Sequence, residues 1–556
     1  MITEKTVKNI IDTIPYVRLL GDISINEHDS LSLDIEVDTC EYLPALKWNM
    51  VIDPPYPCKI SGIESLRLYN KDLMSYPHIM RDGNLCLHTL DYETPEQQLV
   101  NDLKQLKEWI DKYYINEETD EHYEHLVVNP VPFANEYHHY WFTDTDADFS
   151  SGDYGLVKLV SLLKGYEEEK LSNTSIVRSF KSGRTYHSKE YPCKFSYFYL
   201  NHAYTLGIYC FLSSPPATYG KFIVENFKEL NTLLTQEQKN FIYDQSERIK
   251  RTSKIAFIAV FCGYKTADNR VHWQVFLLDL ENQPLIGQKI RLPNHHIQWD
   301  TTFKNAPIPW ATTENVSYNF FFGRGAIPIA VASKKILILG VGAVGSIVAK
   351  TLTRCGALHI DLYDFDAVHA ANVCRSEYQF LGGCGNKASA LTNILNQISP
   401  FINTNAISDQ AFDYEIKVSS NNRQDLQKIK DILNKYDIIF DCSTDNHLMI
   451  KLEELSLRPV IVNLSITNRA QELICAFSPN IKKFIDLMYI TLLKNDVTDM
   501  FNPSGCWNPT FRASYNDIDC KVQFALKHII NMLAQNKPSS NFYINETING
   551  LAINEI

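Results

Sequence analysis

The chain has 556 residues, of which 45% are hydrophobic, 21% charged and 12% aromatic, an ordinary globular balance with room for two to four domains. Its formal charge of −12 offers no basic field to a phosphate backbone, so nucleic acid is not an expected partner. The longest apolar run, Ile336 to Ala349, is short of the ~20 residues of a membrane helix, and Met1 to Lys5 lacks the apolar core of a signal peptide.

No membrane partner is therefore expected, and the 13 cysteines include no Cys-x-x-Cys pair. A reducing cytoplasm with free thiols fits that usage. From the amino terminus, Val7, Ile10, Ile11 and Ile14 have helical spacing, and Leu31 to Val37 alternates as a strand does. A turn-rich segment follows, Tyr76-Pro77-His78-Ile79-Met80-Arg81-Asp82-Gly83-Asn84-Leu85-Cys86-Leu87. Leu99, Leu103, Leu106, Trp109, Ile110 and Tyr113 then mark a helix with one apolar face. Asn129-Pro130-Val131-Pro132 breaks the pattern, and a first domain over 1–135 is expected.

Residues 136–320 are rich in Tyr and Phe, with strand-like runs at Ile255 to Phe261 and Val271 to Leu278. An α+β middle domain is expected, with its aromatic residues in a core. The neighbours His138-His139 and His295-His296 are expected to point apart, on the surface. His122 and His125 share a helix face but lack further metal ligands.

From Lys334 strand and helix alternate, which predicts a parallel sheet in a third domain over 321–556. The strand Ile336–Leu339 runs into Gly340-Val341-Gly342-Ala343-Val344-Gly345, and a second strand ends in Asp364-Phe365-Asp366, with Asp364 19 residues after Gly345. A glycine turn opening a helix brings bare N–H groups and a helix dipole to a phosphate, and Asp364 is placed for ribose hydroxyls. An NAD site fits equally well to this point. Arg375 and Lys387 supply cations suited to a triphosphate and to charge developing at its α-phosphorus. Asp445, just past the strand Ile438 to Phe440, is a carboxylate for Mg²⁺. Each cation taken singly reads equally as surface charge. Cys506 lies between Pro503 and Pro509, in a loop ahead of a helix carrying Ile518, Val522, Leu526, Ile529 and Leu533.

The series Gly340-x-Gly342-x-x-Gly345, Asp364-x-Asp366, Asn372-x-x-Arg375, Lys387 and Asp445-Asn446 resembles the adenylation domain of the ubiquitin-activating and ThiF/MoeB family. That resemblance covers about residues 320 to 550. It implies a Rossmann-like fold, ATP and Mg²⁺, and attack on the α-phosphate by a protein's C-terminal carboxylate. The zinc-binding cysteine pairs of small bacterial members are missing, so no structural zinc is expected. The family's amino-terminal arginine matches Arg324 only loosely. Gly505-Cys506-x-x-Pro509-Thr510-Phe511 resembles the catalytic-cysteine segment of bacterial activating enzymes, which implies a thioester at Cys506.

The segment from Tyr76 to Leu87 resembles the active site of ubiquitin-conjugating enzymes, with Cys86 as the acyl-carrying thiol. Tyr76 and His78 replace the family's His and Asn. His78 is then an oxyanion donor or an acid or base, or else a histidine bonded to loop backbone. One chain with both parts resembles the fused conjugating–activating proteins of bacterial CBASS anti-phage operons. The resemblance implies a homodimer and a protein substrate with a free C-terminus, a cGAS-like nucleotidyltransferase. It also implies a lysine-bearing protein or small amine as acceptor. The expected relay is adenylation at the Gly340 turn, thioester at Cys506, transfer to Cys86, then an amine. The alternative is an adenylyltransferase for sulfur-carrier proteins, which needs no Cys86.

Overall fold

Alternation builds the amino-terminal core. In β2 (Leu31–Val37) and β3 (Leu46–Ile52), every second side chain is buried, and Trp48 and Met50 are almost fully enclosed. With β1 (Val17–Ile25) and β4 (Leu66–Tyr69) these strands form an antiparallel sheet in the order β1-β2-β3-β4. Helix α1 (Glu4–Thr13) starts where the Thr3 hydroxyl accepts the Thr6 N–H at 3.2 Å, and it buries Val7 and Ile11. Helix α2 (Pro95–Trp109) has Thr94 as its cap and Pro95 at its first position, and it lays Leu99, Leu103, Leu106 and Trp109 on the sheet. It continues as a π-helical turn, Ile110–Ile115, with Ile110 and Tyr113 also buried.

The fold is that of a computed structural model describing residues 2–87, 94–118, 126–183, 189–291, 297–418, 422–479, 481, 512–535 and 540–556. Cys506, the His122 and His125 pair, and His295-His296 lie outside the described residues.

The middle unit is a closed barrel. Its strands are β5 (Glu136–Phe142), β6 (Tyr154–Ser161), β7 (Lys170–Ser182), β8 (Thr205–Phe211), β9 (Phe257–Lys265), β10 (Val271–Asp279) and β11 (Trp310–Asn315). They run in the order β5-β11-β10-β9-β8-β6-β7, and β7 pairs back to β5. Alternation sorts the side chains again: Tyr209 and Phe211 of β8 join Phe142, Phe149, Phe180, Phe261 and Trp273 in one aromatic cluster. Ile208 and Cys210 face the other way, into a second cluster with Ile242 of α3 (Gln236–Thr252). Tyr318, Phe322 and Phe401 extend the aromatic cluster toward the third unit. The histidine pair at 138–139 does point apart, yet it is half-buried rather than on the surface. His138 packs on the Phe257 ring at 4.7 Å and His139 meets Glu167 at 3.0 Å.

The third unit is an eight-stranded sheet. Its strands are β12 (Lys335–Leu339), β13 (His359–Tyr363), β14 (Asn403–Ile407), β15 (Ile438–Asp441), β16 (Val460–Thr467), β17 (Glu472–Phe477), β18 (Phe542–Thr547) and β19 (Gly550–Glu555). The order is β14-β13-β12-β15-β16-β17-β18-β19, with the first five strands parallel and the rest antiparallel. Crossover helices α4 (Ala343–Arg354) and α5 (Lys387–Ile398) cover one face together with α7 (Tyr515–Ala534), and α6 (Asn446–Glu454) covers the other. Strand order reverses at β12, with β13 and β14 on one side and β15 and β16 on the other, and the carboxyl ends of β12 and β15 are where such sheets bind ligands. No helix among the described residues is long and apolar enough to cross a membrane.

Candidate active site

The three glycines after β12 do three different jobs. Gly340 has φ +76°, and a Cβ there would lie 2.6 Å from Ser443 Cα, so the turn closes only on glycine. Gly345 sits under it, where a Cβ would be 2.0 Å from the Gly340 carbonyl oxygen. A Cβ on Gly342 would meet open space. That space is a cavity of about 220 Å³, and its lining includes Gly340, Gly342, Asp364, Asp366, Asn372, Arg375 and Lys387. The lining also takes in Cys442, Ser443, Thr444 and Ile466, so stretches from residue 340 to residue 466 converge at the switch point. Larger cavities of about 290 and 410 Å³ lie in the middle unit, and the larger of these has no Lys or Arg in its lining.

Asp364 is mostly buried, and its two oxygens accept the N–H groups of Val341 and Asp366, both at 2.9 Å. Burial pushes its carboxyl above the ordinary range, against the opposing pull of Lys387. It braces the glycine turn as well as facing the cavity. Lys387 opens α5 and reaches Asp366 at 3.0 Å. Burial lowers the Arg375 guanidinium from its ordinary value, so this half-buried cation gains from an anionic neighbour. Asn372 caps a short helical turn by accepting the His369 N–H at 2.9 Å.

Asp445, the carboxylate expected for Mg²⁺, already has partners on both oxygens. One oxygen accepts the N–H groups of His447 and Leu448, at 2.9 and 3.2 Å, and the other meets Lys417 at 2.6 Å. Burial opposes ionisation, yet Lys417 and the two amides outweigh it and hold the carboxyl below its usual range. Its neighbour Thr444 lines the cavity, and Asp445 caps α6 beside it. A divalent ion at Asp445 competes with Lys417 for the same oxygen. Arg324 is exposed and outside the cavity lining.

Sequence reasoning missed the residues that hold this backbone. Tyr378 donates its hydroxyl to the Val341 carbonyl at 2.5 Å, and Asn386 donates to the Asp364 carbonyl at 2.8 Å. Asp441, at the end of β15, is fully enclosed and accepts from Ser443 and Asn463. Burial pushes its carboxyl up to about 6, despite those bonds. No spacing pattern announces such contacts; only the apolar run ahead of Asp441 hints that it is buried.

Cys86 and His78 lie in the first unit, and no described residue of that unit is in the cavity lining. Residues 79 to 85 form a tight hairpin bridging Ile79 to Leu85 and turning at Gly83, whose φ of +89° leaves no room for a Cβ beside Lys71. The Cys86 N–H donates to the His78 carbonyl at 2.8 Å, which fixes the two residues side by side. His78 has φ +63° and its Nε2 lies 3.1 Å from the Tyr113 hydroxyl, which Lys112 also contacts at 2.9 Å. Burial raises the half-buried Cys86 thiol, and the Glu64 carboxylate adds to that shift.

The sequence signature of the ThiF family matches residues 329–455. This part of the chain is a ThiF-family domain. Over 286 residues the chain is 27% identical to the ATP-dependent ubiquitin transferase-like protein Cap2 of Enterobacter hormaechei subsp. hoffmannii, covering 48% of this chain and 44% of that protein. It is 32% identical over 105 residues to ubiquitin-like modifier-activating enzyme 5 of Bombyx mori, covering 19% and 24% respectively. The molybdopterin-synthase adenylyltransferase of Haemophilus influenzae is 25% identical over 159 residues, covering 28% and 60%. The chain thus spans less than two thirds of each of these relatives. Among solved structures, E. coli MccB with AMPCPP and MccA aligns with 41% of this chain and 64% of its own, at 18% identity and a TM-score of 0.29.

Proposed function

We propose that the ThiF-family domain activates the C-terminal carboxylate of a protein with ATP, and that the acyl group passes by thioester to Cys86 and then to an amine. The observation that carries this reading is the division of labour among Gly340, Gly342 and Gly345 beside Arg375 and Lys387. A turn open only at Gly342 lets N–H groups and the α4 dipole approach phosphate oxygens. Arg375 and Lys387 supply positive charge where negative charge grows.

In the first step a carboxylate oxygen attacks the α-phosphorus, the α–β anhydride bond breaks, and pyrophosphate leaves with the electron pair. The Asp364 oxygens, already organised by two amides, would accept hydrogen bonds from the ribose hydroxyls. Asp445 would be the residue to hold Mg²⁺, in place of its bond to Lys417, and the ion would supply positive charge to the leaving pyrophosphate. A thiolate, assigned to Cys506, then attacks the acyl carbon and AMP departs. Thiol exchange moves the acyl group to Cys86, and an amine finally displaces the Cys86 thiolate. His78, held beside Cys86, donates a hydrogen bond to the oxyanion of that last step.

The likeness to an ATP-dependent ubiquitin transferase-like protein supports a protein substrate for this reading. A cGAS-like nucleotidyltransferase as that substrate, a lysine or small amine as acceptor, and a homodimer are what the resemblance to fused conjugating–activating proteins implies. The likeness to the molybdopterin-synthase adenylyltransferase favours a second reading, sulfur-carrier activation. The hairpin that presents Cys86 has no task in that reading. Substrate-dependent exchange of labelled pyrophosphate into ATP tests the first step. Arg375→Ala and Lys387→Ala should each lower exchange by about 100-fold or more while the protein stays folded. Exchange that persists at the wild-type rate in both variants removes this assignment.

A further inference from the structure

Three successive carbonyls ahead of Cys86 are held by three different parts of the molecule. The Pro77 carbonyl accepts the Trp109 indole N–H at 3.0 Å, from α2. The His78 carbonyl accepts the Cys86 N–H at 2.8 Å, within the hairpin. The Tyr76 carbonyl accepts from the Lys221 ammonium, which belongs to the middle unit. Lys221 is 6% exposed, so its charge is spent on this contact region rather than on solvent.

The tip of the same hairpin is tied to the same short stretch. The Arg81 guanidinium pairs with Glu225, donates to the Ile223 carbonyl at 3.1 Å and lies 5.7 Å from the centre of the Phe222 ring. That stretch is itself anchored: the Val127 N–H donates to the Lys221 carbonyl at 2.7 Å, and the Ile223 N–H to the Val127 carbonyl at 3.2 Å. Phe222 is 1% exposed and Ile223 packs in the core on the outer face of the barrel. A rigid element of the barrel unit therefore grips both ends of the loop that carries His78.

We infer that residues 221–225 of the middle unit position the Cys86 hairpin, with Glu225 and Lys221 acting through Arg81 and the Tyr76 carbonyl. The inference rests on Cys86 being the acyl-carrying thiol, and it gives the barrel unit a task. Neither Glu225 nor Lys221 touches the reacting atoms; they set the angle at which the thiol and His78 meet an incoming thioester or amine. A displacement of the hairpin by about 1 Å is enough to cost on the order of 100-fold in rate.

The test is a charge swap in the full-length protein. Arg81→Glu and Glu225→Arg should each slow formation and discharge of the reductant-sensitive adduct on Cys86 by about tenfold or more, and each should raise hydrogen–deuterium exchange in residues 76–87. Arg81→Glu/Glu225→Arg should return both readouts to within about threefold of wild type, which a merely damaged fold would not do. If wild-type protein forms no adduct on Cys86, the acyl-carrier reading fails, and the exchange data alone judge the contact. Unchanged exchange in the single variants, no recovery in the double variant, or altered exchange with an unaltered transfer rate each overturns the positioning role.

Discussion

A methyl group on Gly342, which lines the cavity, would meet no atom within 4 Å, whereas one on Gly345 would overlap the Gly340 carbonyl. The two substitutions should therefore separate binding from folding. Gly342→Ala should leave the unfolding temperature within about 2 °C of wild type and weaken ATP binding at least tenfold, by blocking approach to the amides. Gly345→Ala should destabilise the ThiF-family domain by about 2–4 kcal/mol, because packed backbone cannot yield by an ångström. Thermal unfolding and nucleotide titration of both variants check this. At Cys86 the sign of the thiol shift sets a second expectation: with burial raising its pKa, alkylation by iodoacetamide should need a higher pH than alkylation of the exposed Cys40 and Cys58. Equal pH profiles would show that the local burial does not govern the thiol. The glycines and Asp364 were legible in sequence because a strand–turn–helix fixes their spacing, whereas Arg375 and Lys387 stood out from surface charge only through the resemblance to the ThiF/MoeB family. Tyr378 and Asn386 were not legible, since they act by bonding backbone more than 20 residues away.

The end of β15 illustrates what an element can cost. Asp441 is enclosed, and its carboxyl titrates near 6 instead of near the ordinary 3.8. A folded-state pKa raised above the unfolded value means that its favourable contribution is full below the unfolded value and is lost as pH rises through about 6. The loss amounts to about 3 kcal/mol by neutral pH. Asp441→Asn should consequently be more stable relative to wild type at pH 7 than at pH 4. Denaturant unfolding of both proteins at the two pH values measures that difference; a difference that shrinks with rising pH would contradict the sign. Elements also show where sequence reading stops. Parallel strands and crossovers at 334–446 follow from local periodicity, and the α2 stripe from Leu99 to Tyr113 is buried as its spacing predicts. Closure of the barrel rests on β5 pairing with β7 and with β11, some 170 residues further on, and no local pattern specifies that register.

Across the whole molecule, the cavity at Gly342 and the Cys86 hairpin belong to different units, with the barrel between them in sequence and in contact with both. It grips the hairpin through Lys221 and Glu225, and it shares an aromatic cluster with the ThiF-family domain through Tyr318, Phe322 and Phe401. The proposed relay could run within one chain or between two copies of it. Mixing a Cys506→Ala chain with a Cys86→Ala chain distinguishes the two: recovery of conjugation in the mixture indicates transfer between copies, and its absence indicates transfer within one.

The proposed reaction is an ordered relay through two thiols. Its most direct measurement incubates the protein with ATP, Mg²⁺ and a cGAS-like nucleotidyltransferase bearing a free C-terminus, and separates the products on gels with and without reductant. Two reductant-sensitive adducts are predicted for wild type, none for Cys506→Ala with pyrophosphate exchange intact, and only the first for Cys86→Ala. An adduct on Cys86 in the Cys506→Ala protein, or conjugation that survives Cys86→Ala, would contradict the relay.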